Sequence, residues 1–103
     1  MNRIAKILEF LKDAPTDNFL RHALALEYIK EGNDTAAKEL FINILTQSPD
    51  YVGSYYHLAK LLQRNNETEQ AIEWYEKGMK AAKQAGDNHS YGELQSAYED
   101  LIY

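Results

Sequence analysis

Apolar residues recur along the chain at the spacing of amphipathic helices. Leu24 and Tyr28 lie four residues apart, and so do Ala37 and Phe41 in the following segment. Residues at i and i+4 share one face of an α-helix, so each segment has an apolar side that must be covered. The residues between them, 32–34, read Gly-Asn-Asp, a combination that stops one helix and caps the next. The pattern therefore predicts two antiparallel helices joined by a tight turn.

The same helix–turn–helix pattern appears a second time, 34 residues further along the chain. The size-matched pairs at this offset are Leu24 with Leu58, Ala25 with Ala59, Tyr28 with Leu62, Ala37 with Ala71, and Phe41 with Tyr75. A fixed period of this length is typical of proteins built from stacked helical units. We expect the paired alanines to mark close helix–helix contacts, and we expect Asp34 and Thr68 to cap the second helix of each unit.

At these residues the sequence resembles the tetratricopeptide repeat family, whose pattern is W-x2-L-G-x2-Y, then A-x3-F, then P. The matching residues are Arg21, Leu24, Ala25, Tyr28, Ala37, Phe41 and Pro49 in the first unit, and Tyr55, Leu58, Ala59, Leu62, Ala71 and Tyr75 in the second. Three residues depart from the pattern, because Arg21 replaces an aromatic, Ile44 a small residue and Lys83 the proline. The resemblance implies an all-α fold, a right-handed α-solenoid of antiparallel helix pairs with about six helices.

The repeat frame also divides the chain, which we treat as one domain. Residues 1–15 correspond to an N-terminal half repeat, and residues 88–103 to a C-terminal capping helix. Between them lie two full repeats at residues 18–51 and 52–85. Together these segments amount to about three repeats, which is near the minimum for a continuous stacked core.

Composition removes several function classes. The chain has 103 residues and no cysteine, which excludes disulfides and thiolate metal sites. Sixteen acids against eleven bases give a net charge of −5, which disfavours nucleic-acid binding. The sequence has no run of about eighteen apolar residues, so we expect no membrane span and a cytoplasmic location.

No motif in the sequence predicts catalysis or a cofactor. There is no glycine-rich phosphate loop and no nucleophile elbow, so we expect the protein not to be an enzyme. His22, His57 and His89 are not spaced as metal ligands on one helix turn, and we predict no metal. Acidic residues between 67 and 76 are interpreted as a solvated helix face, with Glu73 paired to Lys77.

The resemblance implies that the first helix of each repeat lines a concave face that binds partners. The residues that it places there, and that we predict to contact a protein or peptide, are Phe19, His22, Leu26, Lys30, Tyr56, Lys60, Gln63 and Arg64. Tyr56 is the strongest candidate, because Tyr55 already fills the patterned aromatic position and aromatic anchors are enriched at interfaces. The family's paired Lys and Asn clamp for a C-terminal carboxylate is absent. The expected function is that of an adaptor or scaffold whose partner is unidentified.

Two alternatives remain open from the sequence. Phe19 and Leu26 are explained better by packing on the N-terminal half repeat, and Lys60 and Arg64 equally well by solvation. Apolar residues also gather at both ends of the chain, at Ile4, Ile7, Leu8 and Leu11 and at Leu101, Ile102 and Tyr103. Apolar surface without a covering helix favours association, so the alternative function is a homodimeric structural module joined through its terminal helices.

Overall fold

A computed structural model describes residues 2–103 and shows six α-helices in them. The helices are α1 (Arg3–Asp13), α2 (Asn18–Lys30), α3 (Asp34–Gln47), α4 (Gly53–Arg64), α5 (Thr68–Ala85) and α6 (Asn88–Ile102). Each helix packs antiparallel against the next one along the chain. This arrangement confirms the all-α prediction of sequential helix pairs.

The predicted N-caps of α3 and α5 are wrong by one residue. The side chain of Asn33 accepts a hydrogen bond from the Ala36 backbone N–H at 3.2 Å, so Asp34 is already the first residue inside α3. Glu67 precedes α5 and makes no side-chain cap bond, which places Thr68 inside that helix as well. The early cap at Asn33 leaves the Asp34 carboxylate available for contacts with the next repeat.

Left-handed residues end three of the helices. Gly32 follows α2 with φ of 79°, and Gly86 ends α5 with φ of 70°. Asn66 follows α4 with φ of 63° and lies 34 residues after Gly32. Glycine reaches this region without strain and asparagine tolerates it better than other side chains, so the same turn forms in both repeats.

The core runs between the helices from α2 to α6. Its largest fully buried side chains are Tyr75, Phe41, Ile44, Leu58, Leu61, Leu62 and Leu94. Ala25, Ala37, Ala59 and Ala71, the alanines that repeat at the 34-residue offset, are all fully buried. Small side chains at these positions let neighbouring helices approach, as the sequence pattern predicts.

The helices form two layers. Nδ1 of His22 in α2 and the hydroxyl of Ser54 in α4 form a hydrogen bond of 2.8 Å. Helix α4 in turn contacts α6. These three helices form one layer, whose solvent-facing side we call the inner face. Helices α1, α3 and α5 form the other layer. None of the helices within residues 2–103 has both the length and the apolar character needed to cross a membrane.

Helix α5 lies very close to α4 at Gly78. A Cβ atom added to Gly78 would lie 2.6 Å from the Cβ of Tyr55 and 3.1 Å from a methyl carbon of Leu94. Both distances are shorter than ordinary van der Waals contact. The absence of a side chain at Gly78 therefore allows α5 to pack against both α4 and α6.

Candidate functional site

An aromatic ring and a cation lie together on the inner face of α4. Tyr56 and Lys60 are four residues apart, which puts them on the same side of the helix. The Lys60 ammonium lies 6.0 Å from the centroid of the Tyr56 ring. The ring is half-buried against the core, and the lysine is exposed. The Tyr56–Lys60 pair therefore presents a fixed aromatic surface with a positive charge beside it.

Tyr75 reaches from the core to this part of the inner face. Its side chain is fully buried, and its hydroxyl donates a hydrogen bond to Oε1 of Gln63 at 2.9 Å. Burial raises the pKa of Tyr75 to about 12, and the nearby Tyr56 and Asp100 add to the increase. The hydroxyl thus stays protonated and holds the Gln63 amide in place.

Sequence reasoning missed the contribution of Tyr75 because the 34-residue pattern assigns it only to the core. A signal was present, since the equivalent residue of the preceding repeat is Phe41, which has no hydroxyl. A tyrosine that replaces phenylalanine at a core position needs a hydrogen-bond partner, and Gln63 supplies it.

His22 lies at the junction of α2, α3 and α4 with only part of its ring exposed. Its Nδ1 is 2.8 Å from the Ser54 hydroxyl, and its ring centroid is 5.2 Å from that of His57 and 5.5 Å from that of Phe41. Burial, together with the neighbouring His57, lowers the pKa of His22 to about 4. Burial also lowers the pKa of His57, against the opposing effect of Glu93. Near neutral pH both rings are therefore uncharged packing and hydrogen-bonding groups.

Two of the predicted cations are paired within the chain. Nη2 of Arg64 lies 2.8 Å from the Asp34 carboxylate, which was predicted as a helix cap. Lys30 lies 3.2 Å from the Glu27 carboxylate, which it shares with Arg3. Lys60 forms no ion pair with any carboxylate of residues 2–103. Of these three cations, Lys60 is the one whose charge is not already balanced by a contact.

Phe19 and Leu26 do not join the Tyr56–Lys60 pair. Leu26 is half-buried and packs against the core. The Phe19 side chain is 73% exposed and lines a groove of about 230 Å³ between α1 and α2, together with Ile7 and Phe10. We call this depression the Phe19 groove. The predicted residues thus divide between two separate surfaces.

The inner face presents groups that can contact a ligand. Within residues 2–103, no group of three or more His, Asp or Glu side chains is arranged to hold a metal ion. His22 and His57 lie in contact, whereas His89 is exposed on α6. What the inner face offers a ligand is an aromatic ring, an amide and an ammonium group.

The predicted pairing of Glu73 with Lys77 is wrong. The Lys77 ammonium lies over the Trp74 ring, 4.5 Å from its centroid, and forms no ion pair with a carboxylate of the part of the chain from 2 to 103. The Trp74 indole face and the solvated Glu73 carboxylate compete for the Lys77 ammonium. The contact with the indole prevails because surface ion pairs contribute little to stability.

Comparison with known proteins gives consistent matches. A model of the tetratricopeptide repeat family matches residues 28–98. The solution structure of a tetratricopeptide repeat domain protein from Salinibacter ruber is 41% identical, with a TM-score of 0.82 over 85% of this chain and 89% of that chain. A crystal structure of such a protein from the same organism is 41% identical, with a TM-score of 0.79 over 82% of this chain and 94% of that one. A protein from Bordetella parapertussis, 25% identical, gives a TM-score of 0.84 over 98% of this chain and 88% of its own. No curated protein matches the chain.

Proposed function

The chain belongs to the tetratricopeptide repeat family, and from this premise we propose that it binds a peptide segment of a partner protein on the inner face formed by α2, α4 and α6. The family consists in general of protein-binding modules and is typically non-catalytic. In this proposal the protein is an adaptor or scaffold of the cytoplasm and uses no cofactor.

The Tyr56–Lys60 pair is the observation that carries the proposal. A half-buried tyrosine loses little conformational freedom on binding and offers both a ring face and a hydroxyl, properties that favour interface anchors. Lys60, with its ammonium 6.0 Å from the ring centroid, gives that anchor a charge preference. The proposed ligand therefore places an apolar group on Tyr56 and an acidic group near Lys60.

The surroundings of the pair support a fixed binding surface. Gln63, one turn after Lys60, is held by the buried Tyr75 hydroxyl. Groups that are already ordered lose less entropy when a ligand binds, which strengthens binding.

The test begins with a partner recovered from the source cell and purified. Calorimetric titration of that partner should show about tenfold weaker binding or more for Tyr56→Ala, because aromatic anchors contribute most at interfaces. Lys60→Glu should weaken binding and remove its salt dependence. Lys12→Glu, on the distant α1, makes the same charge change and should have no effect.

Tyr56 packs against the core, so folding is measured separately. Circular dichroism should show unchanged helix content for Tyr56→Phe, which keeps the ring and should keep most of the affinity. Binding that survives both Tyr56→Ala and Lys60→Glu in folded protein would place the partner on another surface and refute the proposal.

The Phe19 groove favours a second candidate function, self-association through α1. Phe10 is 52% exposed and Phe19 73% exposed beside Ile7, an apolar surface that no helix of residues 2–103 covers. Light scattering at tens of micromolar should then report a dimer that Phe10→Glu dissociates. Because Phe10 is exposed, this substitution leaves the core intact. A monomeric mass for the unmodified chain would eliminate this candidate.

A further inference from the structure

A second groove lies on the opposite layer of the molecule, between α3 and α5. Its volume is about 420 Å³, and we call it the Trp74 groove. Its apolar lining comes from Leu45, Pro49, Tyr55, Trp74 and Ala81, and Lys77 and Lys80 also line it. None of the partner-binding residues predicted from the sequence lies in this groove.

The aromatic walls of the Trp74 groove are held in place. Tyr55 is 4% exposed, and its hydroxyl donates a hydrogen bond to the backbone carbonyl of Pro49. The ring centroids of Tyr55 and Trp74 lie 6.0 Å apart. Gly78, next to Lys77 on α5, lets Tyr55 pack directly against that helix. An apolar ligand group would thus meet a preformed surface.

In the part of the chain that the structure describes, the two lysines of the groove have no carboxylate partner. Ion pairs within residues 2–103 engage Arg3, Lys12, Lys30, Lys38 and Arg64, but neither Lys77 nor Lys80. Acidic residues are plentiful, with sixteen in the chain against eleven bases.

Two of those acids lie close in sequence and still do not pair with the lysines. Glu73 and Glu76 each precede one of the lysines by four residues, yet Glu76 accepts a hydrogen bond from the Tyr98 hydroxyl at 2.9 Å. Lys77 instead lies over the Trp74 ring. Both ammonium groups therefore stay available to a carboxylate that comes from outside.

The groove is long enough for an extended chain. A second depression of about 390 Å³ adjoins it and shares the residues Pro49, Ala81 and Gln84. Between Trp74 and Ala85, α5 rises about 17 Å, the length of roughly five residues of extended polypeptide. A continuous channel of this length fits a linear segment better than a compact small molecule.

We propose that the Trp74 groove binds an extended acidic segment of a partner protein. An apolar side chain of that segment packs against Trp74, which the buried Tyr55 supports from the core side, and its carboxylates contact Lys77 and Lys80. Asp50 lines the far end of the channel, and the chain as a whole carries a charge of −5. These negative charges repel every anionic ligand, but they disfavour a phosphate polymer or an anionic membrane, which present long arrays of negative charge, more than a short segment that needs carboxylates only beside Lys77 and Lys80.

The experiment uses the whole chain and a peptide library. A phage-displayed library of random peptides about seven residues long, slightly longer than the channel, is selected on the wild-type protein. The most enriched peptide is synthesised and titrated while tryptophan fluorescence is recorded. Trp74 is the single tryptophan of the chain and lines the groove, so its emission reports occupancy directly. Selected peptides should carry Asp or Glu next to a large apolar residue, and binding should shift the emission to shorter wavelength.

Charge-reversal variants locate the binding site. Lys77→Glu and Lys80→Glu should each raise the Kd of the selected peptide about tenfold, because they turn attraction into repulsion. Lys83→Glu makes the same change one turn later on α5, outside the groove, and should alter the Kd by less than about twofold. Tyr56→Ala, on the inner face, should leave the Kd unchanged, which separates this site from the proposed function.

Three results would overturn the proposal. One is a selected set with no excess of acidic residues. A second is a peptide whose affinity is insensitive to both Lys77→Glu and Lys80→Glu. The third is Lys77-dependent binding of phosphatidylserine vesicles or single-stranded DNA when no acidic peptide is selected, which would assign the groove to a different class of ligand.

Discussion

The two full repeats, residues 18–51 and 52–85, use the same helix pair but fill one contact in different ways. In the second repeat Tyr55 packs against Gly78, where no side chain intervenes. In the first repeat the residues 34 positions earlier are Arg21 and Ile44. Ile44 is fully buried and Arg21 is 8% exposed. The same two positions of the repeat thus hold a broad ring and a glycine in the second repeat, and a narrow chain and a branched residue in the first, and all of these residues are buried.

The two solutions differ in how well polar atoms are satisfied. The Tyr55 hydroxyl donates to the Pro49 carbonyl, and no buried polar atom of Tyr55 is left without a partner among residues 2–103. Arg21 donates from Nη2 to the Asn18 side chain at 2.6 Å, but its buried Nε has no hydrogen-bond partner in the described chain. An unpaired buried N–H is unfavourable, so the first repeat tolerates a penalty that the second avoids.

A second difference concerns the core aromatic and its neighbour. Tyr75 donates to Gln63, whereas the equivalent residues of the first repeat are Phe41 and Ile29. Both members of the pair therefore differ between the repeats, since the first repeat has two apolar residues where the second has a hydrogen-bonded pair. The two repeats therefore share the shape of their core, while hydrogen bonding is adjusted locally in each.

The largest expected effect comes from adding a methyl group at Gly78. Gly78→Ala should lower the free energy of unfolding by about 2 kcal/mol, because the new Cβ overlaps Tyr55 and this outweighs the gain in helix propensity. Urea denaturation followed by circular dichroism measures the loss. Gly92→Ala on α6 is the matched control, since nothing lies within 4 Å of its added Cβ, and it should stabilise the protein slightly. An unchanged free energy of unfolding for Gly78→Ala would show that α4 and α5 can move apart without cost.

The second-largest expected effect is a dependence of stability on pH, which should distinguish the two repeats. His22 has a pKa lowered to about 4, while its counterpart in the second repeat is Tyr56. Between about pH 6.5 and pH 4 the unfolded chain takes up a proton that folded His22 does not bind, so stability falls as the pH falls through that window. Because the ring is only half-buried, water screens part of the effect, and we expect a loss on the order of 1.5 kcal/mol.

The control for this prediction is His22→Gln, which can still hydrogen-bond Ser54 but does not titrate. Urea midpoints at pH 7 and pH 4.5 should differ less for His22→Gln than for the wild type. Equal losses in the two proteins would mean that other groups carry the acid sensitivity.

The smallest expected effects come from exchanging the core aromatics. Tyr75→Phe should cost about 1 kcal/mol, because it removes one hydrogen bond and leaves the half-exposed Gln63 to water. Phe41→Tyr should also destabilise, since the buried hydroxyl would face Ile29, which cannot accept a hydrogen bond. Adding Ile29→Gln to Phe41→Tyr should recover part of the loss in a double-mutant cycle. No recovery would refute the proposed equivalence of the two pairs.

Much of the fold was predictable because it depends on local periodicity. Apolar spacing and the 34-residue offset are properties of the chain itself, and they predicted the helix pairs and their order. The helix caps were less predictable, because Asn33 and Asp34 are neighbours and both are good N-cap residues. The sequence pattern does not show which of the two precedes the first turn of α3.

The candidate site was predictable only in part. Tyr56, Lys60 and Gln63 come from one helix, so their common face follows from helical geometry. Arg64 lies on the same helix, but its pairing with Asp34 joins two repeats and has no local signal. The contact of Tyr75 with Gln63 escaped prediction for the same reason.

The helices, their turns and the repeat length were readable from the residue pattern, since these features follow from spacing along a single chain. Packing of the folded chain decided which polar groups meet, because ion pairs and hydrogen bonds depend on distances of a few ångströms between separate helices. It also decided that Lys77 covers Trp74 instead of pairing with Glu73, and that α3 and α5 leave a groove between them. Such outcomes depend on competing contacts of similar strength, and packing selects among them.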